Sequence, residues 1–254
     1  MKKGAWILFV IVMAACVPVA LGYGSLVGSF NAPSTYPNGV GWANWSGACL
    51  WVNCNGNNYR YRVVPSTGSI YSSFSNPATG AMGAGAANIG GTGYVFVASY
   101  NASHIYRIGM GSGSTYSSYA APGTYAYGVD YCSTGGNYVY YTAHSSNMLY
   151  FMDAYTGSVV RSHALSFSPN DVAWDPRGNL WIVDGNYLVR QTTTTGSLVN
   201  SFSTSAYGYP SGCAADGTYV YVGINSPLHR VLIFETSGVG IAPASLGRVK
   251  AAYR

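Results

Sequence analysis

Side chains able to do acid–base or metal chemistry are scarce in this 254-residue chain, which holds six Asp, one Glu and four His. A carboxylate pair is the first arrangement of interest. General acid–base catalysis needs two groups held in opposite protonation states, and a hard cation needs several oxygens. Asp171 in SPNDVAW (168–174) and Asp184 in LWIVD (180–184) form the one such pair, opening and closing neighbouring strands. Asp184 also fits a simpler role as the end of a repeated strand. Asp130, Asp175 and Asp216 fall at the opposite ends of their strands, at turns where Asp bonds its own backbone. His104, His144 and His229 lie in or beside loops. His104 and His229 each precede a repeated glycine by nine residues, which predicts equivalent places in two repeats. Such places lie too far apart on a circle to share one ion, so no metal site is expected from the histidines. No Ser–His–Asp order, phosphate-binding loop, CxxC pair or zinc-protease helix is present.

The larger signal is neutral. Amide and aromatic side chains gather in the same loops as the histidines: Asn55, Asn57, Tyr59, Tyr100, His104, His144, Tyr187 and His229. Aromatic faces beside amides suit sugars or an uncharged polymer, through stacking and hydrogen bonding. Turn composition alone would also supply Asn and Gly there.

Positioning those residues requires elements, and the elements repeat. A Gly-Ser turn followed by an alternating strand recurs as GSLVGSF from Gly24, GSIYSSF from Gly68, GSTYSSY from Gly113, GSVVRSH from Gly157 and GSLVNSF from Gly196. A sixth turn matches only through Gly238, and the steps between glycines are 44, 45, 44, 39 and 42 residues. Each turn is preceded by a strand such as YRYRVV (59–64), and that by a stronger hydrophobic one such as LWIVD. Earlier still comes a turn-then-strand opening such as YPNGVGW (36–42), most degraded in GAMGAGAANIGG (80–91). Each period is thus four short strands, A to D, joined by Gly, Asn, Ser and Pro turns. Units of about 40–45 residues with four strands are the pattern of β-propeller blades. The chain opens on a lone D strand and ends on A, B and C, so the first strand is expected to complete the last blade. The prediction is an all-β, five-bladed β-propeller of four-stranded antiparallel blades, closed by the N-terminal strand. In such a ring the D–A and B–C loops share one edge, where sites usually form.

The fourth repeat, SPNDVAWDPRGNLWIVDGNYLVRQTTTTGS (168–197), resembles bacterial propellers of the NHL and gluconolactonase-like kind. It departs from them in having five periods where six are common. Gluconolactonase-like enzymes hold a divalent cation with a Glu, an Asn and an Asp at the channel mouth. The sole Glu, Glu235, ends a C strand far from that mouth, which counts against the enzymatic alternative and leaves the cofactor expectation at none.

Composition bounds the partners. Only 7% of residues are charged, while 15% are aromatic, including 24 Tyr. Without Lys2 and Lys3, ten basic and seven acidic residues remain. Such a near-neutral body has no patch for nucleic acid. Residues 1–22 read as a signal peptide: Lys2 and Lys3, an apolar stretch from Trp6 to Ala20, and small residues in Ala20-Leu21-Gly22. Met13-Ala14-Ala15-Cys16 is a competing lipoprotein pattern with lipidation at Cys16. Membrane association is expected only through one of these. Export permits disulfides among Cys49, Cys54, Cys132 and Cys213, and buried free thiols fit equally. Cys132 and Cys213 are expected at matching core positions. Residues 23–238 form the repeat body and 239–254 a basic tail. The chain is therefore expected to be bacterial, secreted or on the cell surface, with a periplasmic or lipid-anchored place as the alternative. It would bind or scaffold a glycan or an envelope protein. The alternatives are a metal-dependent lactonase-like or lyase-like enzyme using Asp171 and Asp184, and a structural subunit of a surface assembly.

Overall fold

The structure is a computed structural model that describes residues 23–123 and 125–236. The leader, Cys16, Gly238 and the basic tail lie outside the described residues. Within them the chain forms strands alone, beginning with β1 (Leu26–Asn31). The first blade is β2 (Pro37–Asn44), β3 (Ala48–Cys54), β4 (Tyr59–Val63) and β5 (Ile70–Ser75). The second is β6 (Ala81–Ile89), β7 (Thr92–Ser99), β8 (His104–Gly109) and β9 (Thr115–Ala120). The third is β10 (Ala126–Cys132), β11 (Tyr138–Ala143), β12 (Met148–Asp153) and β13 (Val159–Ala164). The fourth is β14 (Pro169–Trp174), β15 (Leu180–Asp184), β16 (Leu188–Thr192) and β17 (Leu198–Ser203). The fifth is β18 (Pro210–Ala215), β19 (Tyr219–Ile224) and β20 (Arg230–Glu235), completed by β1, which pairs antiparallel with β20 from Leu26↔Phe234 to Asn31↔Arg230. The first strands of successive blades touch in a closed circle, β2 to β6 to β10 to β14 to β18 and back to β2. This is a five-bladed β-propeller of four-stranded antiparallel blades, closed by the N-terminal strand.

Two sets of joints explain why these residues make this ring. On the outside, each Gly-Ser anchor glycine sits at left-handed φ, from +69° at Gly113 to +85° at Gly196. A side chain there would strike a residue of the preceding blade: Phe202 for Gly24, Phe30 for Gly68, Phe74 for Gly113, Tyr119 for Gly157 and Leu165 for Gly196. Backbone conformation and close approach both demand glycine, which is why the repeat is anchored there.

Nearer the axis, every second strand carries a large aromatic at one register position: Trp51, Phe96, Tyr140, Trp181 and Tyr221. Where that residue is Phe or Tyr, the first strand of the next blade lays an aromatic on it. Tyr131 stacks on Phe96, Trp174 on Tyr140 and Trp42 on Tyr221, at centroid distances of 5.7–6.2 Å. Where it is Trp, the next blade offers Ala86 against Trp51 and Ala215 against Trp181. A Trp thus meets Ala, and a Phe or Tyr meets a second aromatic, so the volumes of each pair compensate one another.

The sequence places three features incorrectly. Asp130 is no turn residue but lies within β10, 6% exposed and facing the ring axis. Cys132 and Cys213 do not match, since Cys132 ends β10 while Cys213 is internal to β18, opposite Val222. All four described cysteines are buried and free. His104 and His229 differ by one register step: His104 pairs with Ala120, whereas Arg230 holds the equivalent place opposite Asn31. The count to Gly238 misled because β20 pairs with a strand from the other end of the chain.

Candidate functional site

The D–A connections and B–C loops share one end of the ring and are tied together within each blade by backbone bonds. Asn55 N donates to Tyr36 O, Tyr100 N to Gly80 O, His144 N to Tyr125 O, Gly185 N to Ser168 O and Asn225 N to Tyr209 O. The residue before each third strand has left-handed φ without being glycine: Asn58, Ser103, Asn147, Tyr187 and His229, at +47° to +61°. Side chains held that way cost about 1–3 kcal/mol each and persist where surrounding structure fixes them.

At the axis, a bulge opens every first strand. The bulged residues Asn38, Met82, Tyr127, Asn170 and Ser211 ring the mouth. Asn38 donates to Met82 Sδ, Asn53 to Gly83 O, Asn170 to Tyr209 Oη and Pro210 O, and Ser211 to Pro37 O. The Oδ1 atoms of Asn38, Asn53 and Asn170 are buried with no hydrogen-bond partner. Of these, Asn38 and Asn170 were not singled out from sequence, although three of the bulges share the Pro-Asn or Pro-Ser opening.

Beside the mouth, a cavity of about 360 Å³ is lined by Asn55, Thr79, Gly80, Met82, Tyr100, Asn101 and Tyr127. An aromatic train runs past it. Tyr125 stacks on Tyr100 at 4.5 Å, Tyr100 meets Tyr127 edge-on at 5.6 Å, and Tyr127 stacks on His144 at 4.5 Å. The Tyr100 phenol is held above its ordinary range, first by its hydrogen bond with Tyr125, so it stays a neutral donor. Of the eight expected ligand residues, Asn55 and Tyr100 line this cavity, and His144 joins it through Tyr127 while contacting Pro169 O at 3.0 Å. The others are spread around the same edge. Asn57 donates to Tyr61 Oη at 2.6 Å, and Tyr59 lies beside Tyr61. His104 contacts Ala102 O, Tyr187 meets Tyr209 edge-on, and His229 meets Tyr36 edge-on.

The carboxylate pair has other work. Asp184 is fully buried, bonded to Asn186 N and Leu188 N and ion-paired with Arg190 Nε at 2.6 Å. Asp171 stands where the other four blades have Gly39, Gly83, Gly128 and Gly212, and it fills the space those glycines leave at the axis. Its carboxylate accepts from Cys213 N and Val172 N, each at 2.9 Å, and from Val40 N at 3.5 Å. Burial pushes its pKa well above the ordinary range despite those bonds. Two positions along, Asp130 repeats the arrangement, accepting from Tyr131 N at 2.8 Å, Trp174 N at 2.7 Å and Ala86 N. Burial raises it to about 8. Each carboxyl group thus ties the inner edges of three blades and closes the channel. Neither Asp171 nor Asp184 is presented to a substrate. Among the described residues no three His, Cys, Asp or Glu side chains converge to hold a metal ion.

No protein-family model and no curated protein matches the chain. Solved structures do match. Glutaminyl cyclase from Myxococcus xanthus is 11% identical with a TM-score of 0.64, over 85% of this chain and 97% of that one. Hydrazine synthase from Kuenenia stuttgartiensis is 14% identical with a TM-score of 0.55, over 87% and 81%. The β-propeller domain of Cps50 (Swd1) from Myceliophteria thermophila is 9% identical with a TM-score of 0.50, over 79% and 82%. At such identities these proteins share a fold with this chain, and that fold is the β-propeller.

Proposed function

We propose that the chain is an exported, non-enzymatic binding module that takes an uncharged glycan at the loop edge of the ring. One observation carries this reading: a cavity that sets Tyr100 and Tyr127 beside Asn55, Asn101 and Thr79, with no charged side chain among its lining. Aromatic rings offer stacking surface and amides offer paired donors and acceptors, the combination that suits a sugar. Export rests on the leader pattern of residues 1–22 or on lipidation at Cys16. The NHL-like pattern of 168–197 supports the same view of a repeat scaffold with its site in the loops. A glycan array on the protein tests it. Tyr100→Ala and Asn101→Ala should each weaken the best array ligand at least tenfold, while Asp171→Asn and Asp184→Asn, assayed below their melting points, leave it intact. Turnover abolished by chelation would replace this reading with the metal-dependent enzyme. Capture of an envelope protein without glycan would replace the ligand.

A second observation favours the structural-subunit reading. The outermost strands expose apolar pairs at one repeated position: Ile70 and Tyr71, Val159 and Val160, and Leu198 and Val199, all at 46–58% exposure. β5, β9 and β17 carry no charged residue to block edge-to-edge pairing. Concentration-dependent assembly in light scattering, lost in Ile70→Lys combined with Leu198→Lys, tests this reading.

A further inference from the structure

The opposite end of the axis holds a second cavity of about 360 Å³, separated from the loop edge by the Asp130 and Asp171 plug. Its walls are Trp42, Tyr131 and Trp174, backed by Ala43, Ala86, Ala87 and Ala215. Each of the three rings has one face on an aromatic of a second strand, Tyr221, Phe96 or Tyr140. All three rings line the cavity, so the surfaces not covered by those partners are the ones open to it. Asp130 is the floor. Polar side chains, Asn44, Asn88, Ser133 and Thr134, stand only at the exposed rim.

The floor carboxyl is an acid with no counter-charge. Among the described residues, the ion pairs are Arg177 with Asp175 and Arg190 with Asp184. The groups that face Asp130 are Asp171, Cys132 and Cys213, none of them a cation. Three backbone N–H donors hold its oxygens in place and leave one acceptor position of the carboxylate for a ligand. A cup with π-faces for walls and a lone carboxylate beneath attracts positive charge from both. A sugar fits it worse, because its hydroxyls would lie against alanines and ring faces with a single polar partner at the bottom. At the rim, the Arg62 guanidinium already rests over Trp45, 5.4 Å from its centroid.

We propose that this cup is a binding site for a small organic cation of the alkylammonium or methylammonium class, its methyl groups against Trp42, Tyr131 and Trp174 and its charge over Asp130. Nothing in this assignment depends on the glycan reading, since the two cavities do not communicate.

The test is titration of the full protein with choline and with tetramethylammonium chloride at pH 8.5, followed by tryptophan fluorescence and calorimetry. Sodium chloride at equal ionic strength and methyl glucoside serve as controls. Saturable binding of the two cations alone is expected. Asp130→Asn should weaken it at least tenfold, and Trp174→Phe or Tyr131→Leu several-fold. Asp130 is held near 8 by burial, so wild-type affinity for these permanently charged probes should rise about 25-fold from pH 6.5 to 8.5, as the deprotonated fraction does. That profile carries the test even if Asp130→Asn fails to fold. No saturation, a flat pH profile, an unweakened Asp130→Asn, or binding of methyl glucoside in place of the cations would each overturn the assignment.

Discussion

Asp171→Ala separates an axial brace from a catalytic acid, and its cost follows from the bonds it breaks. The substitution leaves Cys213 N and Val172 N without the acceptor each holds at 2.9 Å, in a place with no solvent. A buried donor stripped of its partner costs about 1–3 kcal/mol, so the two together cost about 2–6 kcal/mol. The 3.5 Å contact from Val40 N is long enough to add little. Loss of a desolvated acid returns part of this, leaving a net destabilisation of about 3 kcal/mol. A body of this size shifts its Tm by about 2–4 °C per kcal/mol, which gives a drop of about 6–12 °C. Calorimetry on the wild type, Asp171→Ala and Asp171→Gly measures it. Asp171→Gly installs the residue of the other four blades yet leaves the same donors unpaired, so it should melt no higher than Asp171→Ala. A Tm within about 2 °C of wild type for either variant would refute the bracing account.

Stability should fall as pH rises from about 4 towards 8. Asp130, raised to about 8 from its ordinary 3.8, keeps its proton in the folded chain while the unfolded chain has lost it. Asp171 and Asp216, also raised, act in the same direction, whereas Asp153, lowered by its bonds to Thr156, acts oppositely and only below about pH 4. Asp130→Asn should flatten the slope of Tm against pH; an unchanged slope would remove Asp130 as its source. Phe30→Ala should cost about 3–5 kcal/mol in urea unfolding. Because Phe30 belongs to the closing strand, amide exchange should quicken in β20 before any other third strand, and uniform quickening would argue against a latch there. Gly39→Ala drives a side chain into the backbone of Met82 and Ala84, where nothing flexible can yield, and should cost about 3 kcal/mol or more. Gly28→Ala, which meets only the Ile233 side chain at 3.4 Å, should change stability by less than about 1 kcal/mol.

What could be read in the sequence was whatever each blade needs on its own account. The anchor glycine, the hydrophobic second strand and the turn chemistry recur because every blade must meet the same neighbour in the same way. The N-terminal D strand announced closure by being out of phase. Illegible parts were those set by the ring as a whole. β6 looked degraded because Gly83 and Gly85 must let the strand approach the backbone of β10, so small residues replaced the usual hydrophobic alternation. Asp130 and Asp171 looked like a turn residue and a catalytic candidate because a single repeat does not reveal that its first strand faces four others. The expected site residues reached the edge foreseen for them, yet only Asn55 and Tyr100 line one cavity. Blade-to-blade distances around a circle, invisible in a linear chain, keep the rest apart.

The pairing of β1 with β20 also sets an order of events in the cell. Asn31 Oδ1 accepts from Arg230 Nε across 199 residues, so β1 leaves the ribosome long before its neighbour exists. Contacts this distant in sequence form slowly. Throughout that delay LVGSFN is an orphan ribbon without charge, free to dock on the wrong blade or on another nascent molecule. Holding it apart until β20 has been made is therefore a task for whatever escorts the newborn polypeptide.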